Sequence, residues 1–184
     1  MIIPVSIKNQ SIDSSGITSD YKTAISEYIW NGFEADAKKV SIEYTLNEAF
    51  GVNELIIKDN GNGINYDELK ETFGAFLASK KNLLSLKIKS KANKGKGRFS
   101  FIAFSNNAEW HTVYKDKNVY KEYDIRLSSS KKEVLECSEP QLSDRQETGT
   151  EVRFTNINTL TAENMNFEII EPALLKDFAW FLYL

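Results

Sequence analysis

The sequence predicts an α+β fold: a two-layer sandwich in which helices cover one face of a mixed, mostly antiparallel sheet. Two observations predict this class. Helical and strand-like segments are mixed in the first half of the chain, and a run of short segments typical of antiparallel strands fills the second half. The length of 184 residues suits one domain with a core and is short for two. We expect a single domain over residues 1–184, forming the N-terminal part of a longer protein, since the chain ends on an apolar run.

The individual elements follow from the period of the apolar residues. A period near 3.6 indicates a helix, and strict alternation indicates a half-buried strand. In the first half this pattern predicts a short strand within residues 1–10, a helix over 20–37, strands over 40–46 and 54–59, a helix over 66–78 and a loop over 79–96. In the second half it predicts a short buried helix over 99–104, strands over 109–114, 119–127, 133–137 and 150–154, and a final helix from residue 167 onward.

The composition excludes several classes of protein. Hydrophobic residues make up 41% of the chain, and only 9 Gly and 3 Pro argue against a fibrous or disordered protein. A single cysteine, Cys137, excludes an intramolecular disulfide, and the sequence does not open with a secretory signal. No apolar run approaches the roughly 20 residues that span a bilayer. We therefore expect a cytoplasmic protein with no membrane partner.

The first segment that carries chemistry lies on the predicted helix over residues 20–37. Glu27, Asn31 and Glu34 fall at i, i+4 and i+7 and share one face, opposite the apolar residues Ile25 and Tyr28. Such a stripe is either a solvated face or a site in which Asn31 gives an oxygen to magnesium and Glu27 polarises a water. The spacing alone leaves both interpretations open.

The second segment, Asp59-Asn-Gly-Asn-Gly63-Ile64, follows a predicted buried strand directly. One interpretation is a hairpin turn, because Asn-Gly is a strong hairpin signal. A calcium loop is excluded, since Gly61 stands at its third ligand position and Ile64 at its required glycine. The other interpretation uses Asp59 as an acceptor for the amine of a planar base, with Gly61 and Gly63 allowing close approach of the backbone.

Two further segments complete the set. The glycine-rich turn 94–100 precedes the predicted buried helix and matches neither standard phosphate motif, yet its backbone N–H groups and cations favour an anion. It closes the most basic part of the chain: residues 80–98 contain eight basic and no acidic residues, against 15 basic and 26 acidic residues elsewhere. The turn Thr148-Gly149-Thr150 leads into a strand and indicates nothing by itself.

Taken in chain order, the four segments resemble the boxes of the GHKL superfamily, which includes gyrase-type topoisomerases, heat-shock chaperones, histidine kinases, MutL and MORC proteins. The boxes are E-x-x-x-N-x-x-D-A-x-A, D-x-G-x-G with an apolar residue after it, G-x-G-[KR]-[FL], and a closing G-T pair. The matching residues are Glu27, Asn31, Glu34, Ala35 and Ala37; Asp59, Gly61, Gly63 and Ile64; Gly95, Gly97, Arg98 and Phe99; and Gly149 and Thr150. Two positions depart: Glu34 replaces Asp, and Ala92 stands near the place of the first glycine of the third box.

The resemblance, which runs over about residues 20–156, implies the Bergerat fold with ATP or ADP and magnesium as ligands. It implies that Glu27 activates the attacking water, that Asn31 ligates magnesium, and that Asp59 accepts from the adenine amino group. Gly63 would pack under the ring, Thr150 would help through a water, and residues 73–97 would form the ATP lid, whose cations meet the triphosphate. The other nucleotide-binding residues that the resemblance implies are Glu34, Gly61, Ile64, Ser79, Lys80, Gly95, Lys96, Gly97, Arg98 and Phe99.

Three functions are compatible with this resemblance. The first is an ATPase whose hydrolysis closes the lid and drives an ATP-dependent homodimer of a larger machine, with nucleic acid bound through other domains. The second is phosphotransfer of the histidine-kinase type, although only about 20 residues precede the first box and the only histidine, His111, comes far later. The third is a nucleotide sensor that does not hydrolyse ATP, or a protein that binds nucleic acid with its basic segment, which lacks interleaved aromatic residues for stacking.

Overall fold

The computed structural model describes residues 2–4, 17–73 and 97–182. Eight strands form one sheet in the order β1-β6-β5-β4-β8-β3-β2, with β7 paired to β5 beside this path. Every pairing between the described strands is antiparallel, so the predicted class of an α+β fold with a mostly antiparallel sheet is confirmed. The strands are β1 (Ile2–Pro4), β2 (Val40–Leu46), β3 (Val52–Asp59), β4 (Ser105–Asp116), β5 (Val119–Ser128), β6 (Val134–Cys137), β7 (Gln141–Leu142) and β8 (Gly149–Ile157).

The predicted strands are all present, and most of them are longer than the sequence pattern indicated. The pattern reports the half-buried centre of a strand, whereas the ladder of backbone hydrogen bonds continues through polar residues at both ends. Strand β7 was not predicted, because its two residues are both exposed and carry no apolar alternation. The described helices are α1 (Tyr21–Glu34), α2 (Leu69–Thr72) and α3 (Phe167–Leu182), with 3₁₀ turns at Tyr66–Glu68 and Gly97–Ala103.

Helix α1 has clear signals at both ends. The Asp20 carboxylate caps its start by accepting from the backbone N–H of Thr23 at 3.0 Å and from the Thr23 hydroxyl at 2.7 Å. The prediction of a helix to residue 37 was too long, because Asp36 adopts a φ of 63° in the left-handed region, which ends the helix at Glu34.

Two other predicted helices differ from expectation. The helix predicted over 66–78 begins as a 3₁₀ turn and continues as α2 to Thr72, and its residues 74–78 lie outside the described part of the chain. The short helix predicted over 99–104 is a 3₁₀ turn, and the prediction that it is buried is confirmed by the full burial of Phe99 and Phe101.

The core lies between the sheet and α1. The Tyr28 ring of α1 packs edge-on against Phe154 of β8, with ring centroids 4.8 Å apart, and lies 6.4 Å from Trp110 of β4. Helix α3 packs on α1 through Phe178, whose ring is 4.7 Å from that of Trp30. Within the three described ranges, no helix combines the length and the apolarity that crossing a membrane requires.

The opposite face of the sheet, which we call the open face, carries charged side chains. Ion pairs lie along this face, as expected for polar residues that alternate with core residues. Some connect neighbouring strands, β2 with β3, β3 with β8 and β4 with β5, and others join residues two apart within β8 and within β5. These pairs are Lys58–Glu43, Lys58–Glu151, Arg153–Glu54, Arg153–Glu151, Arg126–Glu109, Arg126–Asp124 and His111–Asp124.

Candidate functional site

Helix α1 presents the predicted polar stripe away from the core. Ile25, Tyr28 and Ile29 are buried, whereas Asn31 and Glu34 are exposed and Glu27 is half-buried. The predicted division of the helix into an apolar and a polar face is therefore present. Its second half packs closely on β3, because a Cβ atom on Gly32 would lie 3.0 Å from the Cβ atom of Asp59. Asp59 consequently lies beside the helix, next to the turn that carries Asn31.

The loop after β3 is fastened to the end of α1. The Asn60 side-chain oxygen accepts from the backbone N–H groups of Lys38 and Lys39 at 2.9 and 2.8 Å. The backbone N–H of Asn62 donates to the Ala35 carbonyl at 2.8 Å. The loop leads into the 3₁₀ turn at residues 66–68 and β3 pairs with β2 and β8, so the interpretation as a hairpin turn is wrong.

Asp59 is held by backbone donors at the end of β3. Its Oδ1 atom accepts from the N–H of Gly61 at 2.8 Å, and its carboxylate also accepts from the backbone N–H of Thr150. Burial raises the pKa of the Asp59 carboxyl above its ordinary value, and these two N–H groups oppose the shift without cancelling it. In the part of the chain that the structure describes, no lysine or arginine forms an ion pair with Asp59.

Gly63 brings the loop against β4. Its φ is +71°, and a Cβ atom there would lie 2.1 Å from the carbonyl oxygen of Val113, so no other residue fits this conformation. The next residue, Ile64, donates its N–H to the Thr112 hydroxyl at 2.9 Å and accepts from the Tyr123 hydroxyl at 3.1 Å. Both polar groups of the Ile64 backbone are thereby fixed.

Thr112 and Tyr123 hold the loop of the candidate site in place and were not predicted from the sequence. The Thr112 hydroxyl lies 3.2 Å from that of Thr150, so one buried hydroxyl connects the loop to the closing Gly-Thr pair. A signal existed for Thr112: it stands at a core position of an alternating strand, where a polar residue needs a partner. No local pattern marks Tyr123, whose role depends on a partner 59 residues away.

The turn at Gly97–Ala103 is fastened to the middle of α1. The buried Tyr28 hydroxyl donates to the Arg98 carbonyl at 3.0 Å and accepts from the Phe101 N–H at 3.2 Å. A Cβ atom on Gly97 would lie 3.0 Å from the Oε2 atom of Glu27, so the end of the glycine-rich segment lies beside this carboxylate. The structure thus brings together two predicted site residues that are far apart in sequence.

Two predicted ligand residues of this turn are buried. The Arg98 guanidinium lies near two aromatic rings, 5.9 Å from the centroid of Phe73 and 4.8 Å from that of Phe99. Burial lowers the Arg98 pKa to about 10, so it stays a cation at neutral pH. Phe99 itself is fully buried in the core. Both side chains therefore pack into the interior below the surface of the turn in this structure. Their contact with a nucleotide stays a prediction.

Several other predicted site residues lie outside the described residues. These are Ser79, Lys80, Gly95 and Lys96, with most of the predicted lid over 73–97. Among residues 17–73 and 97–182, no group of three His, Cys, Asp or Glu side chains is arranged to hold a metal ion. That arrangement is not required for magnesium, which takes few protein oxygens when it shares the phosphates of a substrate.

The sequence of this chain matches the model of a known family. The sequence model described as "Histidine kinase-, DNA gyrase B-, and HSP90-like ATPase" matches residues 18–159, which is most of the chain and contains all four segments. No curated protein matches the sequence.

Proposed function

This chain belongs to the histidine kinase-, DNA gyrase B- and HSP90-like ATPase family, which makes it a GHKL-type ATP-binding domain, and we propose that it also hydrolyses ATP with magnesium. One observation carries the proposal. A single rigid helix, α1, carries Glu27 against Gly97 near its middle and Gly32 against Asp59 near its end. The carboxylate proposed to act on the phosphates and the carboxylate proposed to read the base are therefore held at a fixed separation.

Recognition of the base rests on Asp59. Two backbone N–H groups hold its carboxylate, and lone pairs remain for a donor from the ligand. We infer that this donor is the exocyclic amine of adenine. The loop backbone at Gly61 and Gly63 would then lie against the ring, with Thr150 helping through a water.

Hydrolysis rests on Glu27 and Asn31. Asn31 is exposed on the same stripe one turn further along, and its side-chain oxygen is of the type that magnesium accepts. Magnesium, when bound, neutralises charge on the phosphates as the bond to the leaving oxygen breaks. The Glu27 carboxylate takes a proton from water, the water oxygen bonds to the γ-phosphorus, and the bond to the ADP oxygen breaks to give ADP and phosphate.

The remaining predictions extend this function. Glu34 would support the nucleotide from the same stripe, and Ser79, Lys80, Gly95 and Lys96 would contact its phosphates when the lid closes. An ATP-dependent homodimer, nucleic acid bound through further domains and a cytoplasmic location stay predictions, as does the assignment of residues 1–184 to one domain of a longer protein.

The experiment that tests hydrolysis compares Glu27→Gln with the wild-type chain. We expect phosphate release to fall roughly 10²–10⁴-fold while the Kd for ATP is retained, because a general base acts on the water in the transition state. Glu109→Gln, on the open face, is the matched control and should keep wild-type turnover. Asn31→Ala should lower affinity and turnover together.

Other outcomes would replace this proposal. Equal turnover in Glu27→Gln and wild type would remove Glu27 as the base. Tight ATP binding with no turnover by the wild type would favour the nucleotide sensor. Transfer of label from [γ-³²P]ATP to a protein side chain would favour the kinase.

A further inference from the structure

Strand β2 is an edge of the sheet that the described residues form. It is the last strand in the sheet order, and among the described residues only β3 pairs with it. Natural edge strands are usually short or protected by charges, proline or bulges. Strand β2 has seven residues, no proline and one charge, Glu43, while Tyr44 and Leu46 are each 42% exposed. Its register shift against β3 falls between Thr45 and Leu46, at the end of the strand, and leaves residues 40–45 regularly paired. An unprotected apolar edge of this kind is a surface for pairing with another strand.

The backbone groups that face outward can be identified. The N–H of Asn60 donates to the carbonyl of Lys39 at 3.3 Å, and the N–H of Asn47 donates to that of Gly51 at 2.9 Å. Odd-numbered residues of this strand therefore direct their polar groups toward β3. Because successive residues of a strand alternate in direction, Ile42, Tyr44 and Leu46 direct their N–H and C=O groups away from the sheet.

The side chains of the same residues form an apolar row. Ile42 and Tyr44 lie opposite Ile57 and Leu55, which are core residues on the helix side of the sheet. Glu43 lies on the open face, where its carboxylate binds Lys58 at 3.2 Å. Outward hydrogen-bonding groups and exposed apolar side chains therefore belong to the same residues.

We propose that this edge is a dimer interface, in which β2 pairs antiparallel with β2 of a second copy of the chain about a two-fold axis at Tyr44. In this register Tyr44 faces its own copy and Ile42 faces the partner's Leu46, and each such pair exchanges two backbone hydrogen bonds. Glu43 faces the partner's Thr45 on the open face. The two sheets then join into one continuous sheet.

The sequence of β2 selects this occupant and this register. Centring the pairing on Glu43 would place two carboxylates in a close, non-hydrogen-bonded pair, which is unfavourable. Centring it on Ile42 would place Leu46 beyond the paired segment and leave it exposed. The register at Tyr44 buries both exposed side chains and matches apolar with apolar residues. The strand is therefore complementary to itself.

This interface does not depend on the proposed ATPase function. Val40 lies opposite Asp59 at the nucleotide end of the strand, and Tyr44 is four residues further along. At about 3.3 Å per residue, the axis lies about 13 Å from that end. The dimer should therefore form without nucleotide, which distinguishes it from an ATP-dependent homodimer.

Sedimentation equilibrium on the 184-residue chain without ATP tests the proposal. We expect a concentration-dependent dimer in the wild type and at least about tenfold weaker association in Leu46→Lys, because charge and loss of apolar contact oppose pairing. The matched control is Leu175→Lys on α3, where the leucine is 48% exposed and belongs to no strand. A wild type that is monomeric at every concentration, or equal weakening in both variants, would overturn the proposal; circular dichroism checks that each variant is folded.

Cysteine cross-linking tests the register. Under mild oxidation Tyr44→Cys should form a disulfide-linked dimer, because residue 44 faces its own copy, whereas Glu43→Cys should not. The native Cys137 is buried, and burial raises its pKa to about 11, which keeps it from competing. A cross-link through Glu43→Cys alone would overturn the register, and equal cross-linking of both would indicate collision without a defined interface.

Discussion

The two faces of the sheet hold their carboxylates in opposite ways. On the open face, burial opposes the ionisation of Glu151, but bonds from Arg153 and the nearby charge of Lys58 outweigh it and lower the Glu151 pKa. On the helix side, Asp59 receives two backbone N–H groups, and burial raises its pKa. The same strand pairing, β3 with β8, supplies both environments.

A carboxylate that binds a ligand must keep acceptor capacity for it. A carboxylate already bound by cations has little acceptor capacity left for a neutral donor. A carboxylate that accepts only from N–H groups keeps acceptor capacity, and burial strengthens a further hydrogen bond to it. The open face resembles an ordinary solvated sheet surface, in which each pair contributes little. We therefore expect a single substitution on the helix side, at Asp59, to change recognition.

The most destabilising change should be at Gly63, in the loop that follows Asp59. Gly63→Ala forces a side chain into the left-handed region and into the Val113 carbonyl, so we expect a loss of at least about 2 kcal/mol in the free energy of unfolding. Urea denaturation measures it. The matched control is Gly51→Ala in the β2–β3 hairpin, where a Cβ atom meets only the flexible Asn47 side chain. Equal losses would mean that the tight approach at Gly63 is not a constraint.

The same substitution of an aspartate on each face of the sheet should affect ATP binding differently. Asp59→Asn should weaken ATP binding at least about tenfold, or about 1.4 kcal/mol, because an amide accepts less well and presents a donor to the adenine amine. Asp124→Asn, the same change on the open face beside His111, should leave the Kd unchanged. Isothermal titration with magnesium and ATP measures both, and matching affinities would remove the adenine assignment.

The smallest effect concerns stability and pH. The pKa of Asp59 is raised in the folded state, so the folded state binds the carboxyl proton more tightly than the unfolded state does. The contribution of Asp59 to the free energy of unfolding therefore falls as pH rises from the ordinary aspartate pKa, about 3.9, through the raised pKa. We therefore expect Asp59→Asn to gain stability relative to the wild type over that interval. Asp124→Asn should lose about 1 kcal/mol or less, and less still in high salt. Thermal melts from pH 3 to 8 measure both, and a stability gap of Asp59→Asn that does not change with pH would contradict the linkage.

The sequence predicted those parts of the site whose signals are local. Residues 40–46 alternate clearly, and the polar stripe of α1 and the loop after β3 each lie within a few consecutive residues. The contacts that assemble the site are not local: the Tyr28 hydroxyl meets the Arg98 carbonyl 70 residues away, and Ile64 meets Thr112 48 residues away. Such pairs depend on how the layers pack, which no short pattern records.

Errors in the predicted elements have physical causes as well. The Asn-Gly pair favoured a hairpin turn, but Asn60 bonds back to residues 38 and 39, and the chain passes on to a 3₁₀ turn. Helix α1 ends early because Asp36 turns the backbone into a conformation that the helical period does not reveal. In both cases a polar residue near a turn overrode the local propensity.

The two hydrogen bonds that the Asn60 side chain accepts have a mechanical consequence. One amide oxygen accepts two consecutive N–H groups at the entry to β2, while its own backbone N–H returns to Lys39 and the next bond links Asn62 to Ala35. Hydrogen bonds therefore join three elements: the end of α1, the start of β2 and the loop after β3. We therefore expect this part of the candidate site to keep its conformation when a ligand binds or leaves.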